Sequence, residues 1–286
     1  MDKGIIASPF RVNSNGDEFG FETVIGGERL RYYLLYWDEV VIPTNNLIHV
    51  GVAPDEDLLI SQGILKRPSV KLTRVGGDGG RSLLQSQAVV AEALMGMEPG
   101  KWVFMQDGDK LNLSEEFSEV RNNITLDIAN IMPVPPVDTP IEDILEFKLN
   151  RKDELHDLWY YLDDLCVQVQ REPDRALAQR LITHDFGKAV ENSIAVTREK
   201  WRGFHLTNFK PTVSLDYKNL LGGAAAEAMA NYLPMLEGVP KGVAAVFGVA
   251  VSTLKISADI SLTPRAPQTK EQLKLAYLSE ITKRLY

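Results

Sequence analysis

Residues 133–162 read PVPPVDTPIEDILEFKLNRKDELHDLWYYL, and the reading of this stretch decides the fold. Its opening run, residues 133–140, carries four prolines, each with a fixed φ and no amide donor. Such a run continues neither a helix nor a central strand. It is therefore expected to link an α/β amino-terminal domain, residues 1–132, to a mainly α-helical carboxyl-terminal domain, residues 141–286. Directly after it comes Glu146-Phe147-Lys148. On a strand, Glu-x-Lys with an upstream aspartate is the arrangement of restriction-type nucleases, where carboxylates hold a divalent metal and the lysine stabilises charge on the phosphate. On a helix the two side chains point to different sides. Local signals favour the helix: Thr139 suits an N-cap, Pro140 position N1, and Glu142 the N3 position of a capping box. Ile141, Ile144, Leu145, Leu155, Leu158, Trp159, Leu162, Leu165, Cys166 and Val169 recur mainly at helical spacing, which predicts one long helix. Between residues 139 and 172, nine Asp or Glu face four Lys or Arg, the composition of a solvated helix face.

Upstream, short apolar runs alternate with amphipathic segments, as in an α/β unit. Strands are predicted at residues 5–7, 40–42, 47–52, 70–75 and 124–132, with a hairpin joining 101–106 to 110–113 around Asp107-Gly108-Asp109. Leu30, Tyr33, Leu34 and Trp37 recur at i, i+3, i+4 and i+7, so residues 29–40 are predicted as a helix whose aromatics serve the core. Further helices are predicted over 55–62, with Gly63 just past the end, and over 82–97.

Between the strand and helix predicted around it, VGGDGGRS at residues 75–82 has the setting of a phosphate-binding loop. It lacks the consensus, because Val75 stands where the first glycine belongs and Arg81 replaces the lysine. Amides of Gly79 and Gly80 with Arg81 and Ser82 can still hold an anion at the helix start. A second stretch, residues 198–210, mixes cations with rings. Lys200, Trp201, Arg202 and Lys210 there suit single-stranded nucleic acid or an acidic partner, the alternative being a helix end with buried aromatics. His49, His156, His184 and His205 show no paired metal-ligand spacing, and no serine sits in Gly-x-Ser-x-Gly. Asp107-Gly108-Asp109-Lys110 lacks the later ligands of a calcium loop.

Composition sets outer limits. A chain of 286 residues, 44% hydrophobic, can bury a sizeable core. Net charge −8 and a pI near 5.2 exclude an overall pull toward nucleic acid or anionic lipid, so any such binding is local. Cys166 is the only cysteine, which excludes an intramolecular disulfide and a multi-cysteine zinc site and fits a reducing cytoplasm. Residues 1–9 hold no apolar core of signal-peptide length, so export is not expected. The most apolar stretch, residues 220–256, is interrupted by Glu227, Glu237 and Lys241, which argues against a stable transmembrane span. Two short helices broken at 234–240 fit it better. Gly238, Gly242 and Ala245 would then let another backbone approach, as a buried hairpin or a self-association surface.

The segments GIIASPF (4–10), YYLLYWDEVVIPTNN (32–46), GILKRP (63–68) and ILEFKLNRKDELHDL (144–158) together resemble an uncharacterised family of bacterial proteins, a domain of unknown function. The resemblance implies a bacterial accessory or mobile-element protein with phage defence as its setting, and it supplies no activity and no catalytic residue. The leading expectation is a cytoplasmic interaction or effector module acting through self-association or a protein partner, without cofactor or metal. Three alternatives stand beside it: a phosphate- or nucleotide-binding enzyme using residues 76–82, a membrane-active effector using 220–256, and a metal-dependent nuclease using Glu146 and Lys148.

Overall fold

A computed structural model of the chain describes residues 2–15, 18–24, 27–52, 54–72, 79–107, 124–127, 132–198, 205–206, 211–215, 236–237 and 275–284. Strand β1 (Gly4–Ala7) leads through a hairpin of β2 (Phe10–Asn15) and β3 (Glu18–Val24) into α1 (Gly27–Tyr36). Then come β4 (Glu39–Val41), β5 (Thr44–Asn45), α2 (Pro54–Ser61), β6 (Leu65–Lys66), β7 (Ser69–Val70), α3 (Gly79–Met97) and β8 (Trp102–Asp107). β9 (Ile124–Asp127) and β10 (Pro133–Val134) precede α4 (Ile141–Asn150), α5 (Lys152–Arg171) and α6 (Arg175–Arg198). β11 (His205–Leu206), β12 (Pro211–Leu215), β13 (Leu236–Glu237) and α7 (Ala276–Arg284) follow.

The main sheet has the order β6-β4-β1-β8-β12-β9. Its first four strands are parallel, while β12 runs antiparallel to both β8 and β9. Parallel strands covered on both faces read as continuous apolar runs, and alternate residues here serve two cores. Ile5, Val40, Ile42, Val103 and Met105 join the helices α1, α4, α5 and α7. Ile6, Val41, Trp102 and Phe104 join Ala88, Val89, Ala91 and Leu94 of α3. From β1 the chain winds outward through α1 and α2 to β4 and β6; α3 then crosses the opposite face to β8, on the other side of β1. The winding direction reverses between β1 and β8.

Helix α1 is buried from Leu30 to Tyr36, so its aromatics are core, as its spacing predicts. The carbonyls at a helix end lack intrahelical donors, and here long-range side chains supply them. Tyr277 donates its hydroxyl to Leu35 O at 2.5 Å, Trp159 Nε1 donates to Tyr36 O at 3.0 Å, and Lys148 Nζ donates to Trp37 O at 2.7 Å. Residues on both sides of the proline run thus share one core.

Several expectations change. The proline run expected to link two domains packs against the chain: β10 pairs with β11, Tyr36 donates to Pro133 O, and Arg31 Nε donates to Thr139 O at 2.7 Å. With Thr139 held there, Pro140 becomes the N-cap at φ −57 and ψ 140, and the capping box does not form. The long helix divides at Arg151, whose guanidinium pairs with Glu154 and with Glu280 of α7. No strand forms at 47–52: Asn45 Oδ1 accepts the amides of Leu47 and Ile48 at 2.9 and 2.8 Å, turning the backbone out of extension. β8 is flanked by β1 and β12 instead of by a hairpin partner, and residues 110–113 lie outside the described residues. β12 comes from a segment expected to be helical and inserts between β8 and β9. The helices at 55–62 and 82–97 are present, and Gly63 follows the first with φ 73. Of residues 220–256, only β13 is described; it pairs with β7, and Gly238, Gly242 and Ala245 lie outside the described residues. Among the described residues no helix is long and apolar enough to cross a membrane.

Gly4 marks the tightest contact between sheet and side chains, because a Cβ there would overlap the Trp102 indole. Trp102 is itself buried, with little room to withdraw. Gly4→Ala is expected to lower unfolding stability by about 1–3 kcal/mol, the usual overpacking penalty. Chemical denaturation of the two proteins checks this, with Gly51→Ala, where nothing lies within 4 Å, as the neutral comparison.

Candidate functional site

In open parallel sheets, ligands bind outside the carboxyl ends of the strands where the winding direction reverses. Here that place lies between β1 and β8, and a set of buried uncharged polar groups lies along that edge. Gln87, in the middle of α3, donates Nε2 to Ile6 O at 3.1 Å and to Met105 O at 2.7 Å, and accepts from Gln106 Nε2 at 3.2 Å. One amide therefore spans the ends of both strands. Asn45, at the end of β5, donates to Ser86 Oγ at 3.0 Å, and Ser86 donates to Ser82 O at 2.7 Å. These contacts fix the amino end of α3 over the carboxyl edge.

Helix α3 starts at Gly79, has 19 residues and carries no acid in its first turn. In α2, by contrast, Asp55, Glu56 and Asp57 occupy the first turn. The amide pole of α3 is thus uncompensated by its own first-turn side chains. Of the predicted phosphate group, Gly79, Gly80, Arg81 and Ser82 all fall in this first turn; Ser82 is buried, and residues 73–78 lie outside the described residues. Lys200, Trp201, Arg202 and Lys210 also lie outside them.

The nuclease pair is not assembled. Glu146 is exposed on α4, whereas Lys148 turns inward to the Trp37 carbonyl, as the helical reading requires. Burial pushes the Lys148 amine down to about 8, with Lys152 adding to the shift and Asp38 opposing it. Cys166 is buried, and burial pushes its thiol up to about 12, so it is no thiolate nucleophile at neutral pH.

The opposite, amino edge of the sheet is bordered by charge pairs. Glu39 binds Lys66 and Lys101, each at 2.5 Å, and buried Lys3 binds Asp163 at 2.9 Å. Beside them Asp2, Asp38 and His156 converge, three residues whose ligand atoms can address one metal ion. Burial lowers the pKa of His156, which favours the neutral imidazole. Sequence spacing missed this trio because its members precede β1, precede β4 and sit on α5. Gln87 was missed as well, although a polar pair, Ser86-Gln87, within an apolar helix is a visible signal.

A third feature is a groove of about 440 Å³ at the turn between α5 and α6, lined by Gln168, Glu172, Pro173, Leu177, Leu181 and Ile182 among others. Leu177 and Leu181 are 45% and 54% exposed one helical turn apart.

Gln87 generates the sharpest test of the carboxyl edge. Gln87→Leu removes donors from two strand carbonyls and an acceptor from Gln106, so a loss of about 1–3 kcal/mol is expected. Amide exchange at β1 and β8 should accelerate before exchange at α5; uniform exchange changes would contradict a local clamp.

No curated protein and no solved structure matches the chain. A family model described as a family of unknown function, DUF6236, matches residues 13–286. The match extends from the first hairpin to the carboxyl terminus, and the chain accordingly belongs to DUF6236, a family of unknown function.

Proposed function

We propose that the chain binds a phosphate-bearing small molecule at the carboxyl edge of its sheet, with the amino end of α3 as the anion pole. One observation carries the reading: α3 runs along the edge where the winding reverses, its third turn bridging β1 and β8 through Gln87 and its first turn meeting Asn45 through the Ser82 carbonyl. Amides of Gly79 and Gly80 supply donors without side-chain bulk, Arg81 supplies charge, and the buried Gln87–Gln106 pair holds α3 against the strand ends. Calorimetric titration with a panel of nucleotides and sugar phosphates tests this. Arg81→Ala is expected to weaken binding about tenfold or more, since a hydrogen bond to a charged group is worth roughly 1.5–3 kcal/mol. Gly80→Asp, which sets a carboxylate on the pole, should weaken it further, while Arg171→Ala, at an exposed position of α5, should not. A folded wild type that binds none of the panel rejects the proposal.

The exposed Leu177 and Leu181 favour a second reading, an interaction module that self-associates through the α5–α6 groove. Such a module fits the bacterial, cytoplasmic and phage-defence setting that the sequence resemblance implies. Leu181→Asp is expected to convert a wild-type dimer to monomer in analytical ultracentrifugation. A wild type that sediments as monomer at high micromolar concentration removes this reading.

A further inference from the structure

The amino edge of the sheet gathers three donor groups from separate elements. Gly4 of β1 pairs with Glu39 of β4, so Asp2 and Asp38, just ahead of the two strands, come close together. His156 reaches them from the second turn of α5. One ligand atom from each lies within 4.8 Å of the other two. Bonds of about 2.0–2.2 Å to a shared ion would put these atoms about 3–4 Å apart, so closure needs movement on the order of an ångström.

The imidazole supplies an independent sign. His156 Nε2 is sealed from solvent and has no hydrogen-bond partner, although Asp2 Oδ1 stands 3.6 Å away, beyond hydrogen-bond reach. Buried polar atoms are normally satisfied, and an orphan is to be explained. A metal ion between the imidazole and the carboxylates gives that nitrogen a partner. Asp38 is also held as a metal ligand would be: the Lys3 amide donates to its Oδ2 at 3.0 Å, fixing the carboxylate from the backbone. Asp2 is exposed, which leaves a path for an ion, while Asp38 and His156 are half-buried.

Among the described residues, two lysines share the neighbourhood. Lys148 Nζ is committed to the Trp37 carbonyl. Lys152 Nζ pairs with Asp2 Oδ1 at 3.1 Å, but its side chain is 47% exposed and can swing into solvent. We infer that Asp2, Asp38 and His156 form a site for one divalent first-row metal of the Zn²⁺ or Mn²⁺ type, with Lys152 as the counter-ion that the metal displaces. The mixed oxygen and imidazole donors favour these ions over Mg²⁺ and Ca²⁺, which take oxygen sets. The site lies at the edge opposite the ligand crevice and does not depend on it.

Calorimetric titration of the full chain with Zn²⁺, Mn²⁺ and Mg²⁺ tests the assignment. One equivalent of Zn²⁺ or Mn²⁺ is expected to bind, with Mg²⁺ at least tenfold weaker. His156→Gln and Asp38→Asn should each weaken Zn²⁺ binding at least tenfold, Lys152→Ala should tighten it several-fold, and Asp153→Asn, on the same helix outside the trio, should leave it unchanged. Circular dichroism melts of each variant establish that it is folded; where Asp38→Asn is not, Asp2→Asn takes its place. Absence of saturable Zn²⁺ and Mn²⁺ binding by the wild type overturns the site. So does binding that survives unchanged in the folded ligand variants, which would place the ion elsewhere.

Discussion

The open carbonyl end of α1 is the constraint around which the helical layer is organised. A helix buried on all sides cannot turn its last carbonyls to water, and an unpaired buried carbonyl costs about 1–3 kcal/mol. Tyr277, Trp159 and Lys148 each reach one of them from α7, α5 and α4. Each donor comes from a helix that must dock in a set orientation for the bond to form. Apolar burial brings those helices to the sheet, and these three bonds define how they sit. Lys148 adds a cation at the negative end of the helix dipole, which offsets part of the cost of burying its amine.

With the helical layer set in this way, the sheet presents two edges of different character. At the amino edge, Lys3, Glu39, Lys66, Glu98, Lys101 and Asp163 neutralise one another in pairs. At the carboxyl edge the buried groups are mostly uncharged amides and hydroxyls, supplied by Asn45, Ser82, Ser86, Gln87 and Gln106. Bonded to one another and to the strand carbonyls, these neutral groups hold the amino end of α3 in place without bringing a carboxylate into the described part of that edge. A doubly wound order places this edge where two strands diverge. Topology thus selects the place, and the residues on α3 select the chemistry.

Much of this was legible in the amino-acid order, and the failures share a cause. Apolar periodicity located α1 and the inward faces of α4 and α5, since burial on one side leaves a repeating trace, while an acidic first turn with Gly63 behind it marked α2 and a glycine loop marked the start of α3. The run at 47–52 looked like a strand because its apolar spacing is local, yet the Asn45 side chain captures two of its amides. The proline run looked like a linker because proline cannot extend a helix. Nothing local shows that Arg31 and Tyr36 would hold its carbonyls. β12 was missed although Thr212, Val213, Ser214 and Leu215 alternate, and the first hairpin was missed although Asn15-Gly16 is a turn signal.

The sequence by itself determined that the segments of α1 to α5 are helical, that Glu146 and Lys148 diverge, and that the α1 aromatics belong inside. Each of these follows from spacing along one element, a property that covalent geometry carries without reference to the rest of the chain. Only the tertiary structure decided the strand order, the insertion of β12, the Gln87 bridge between two strands and the meeting of Asp2, Asp38 and His156. Those depend on which elements pack together, and packing is settled by the summed burial of two cores and by donors such as Tyr277 finding acceptors far along the chain. Contacts of that kind leave no period in the sequence, because their partners are joined through space.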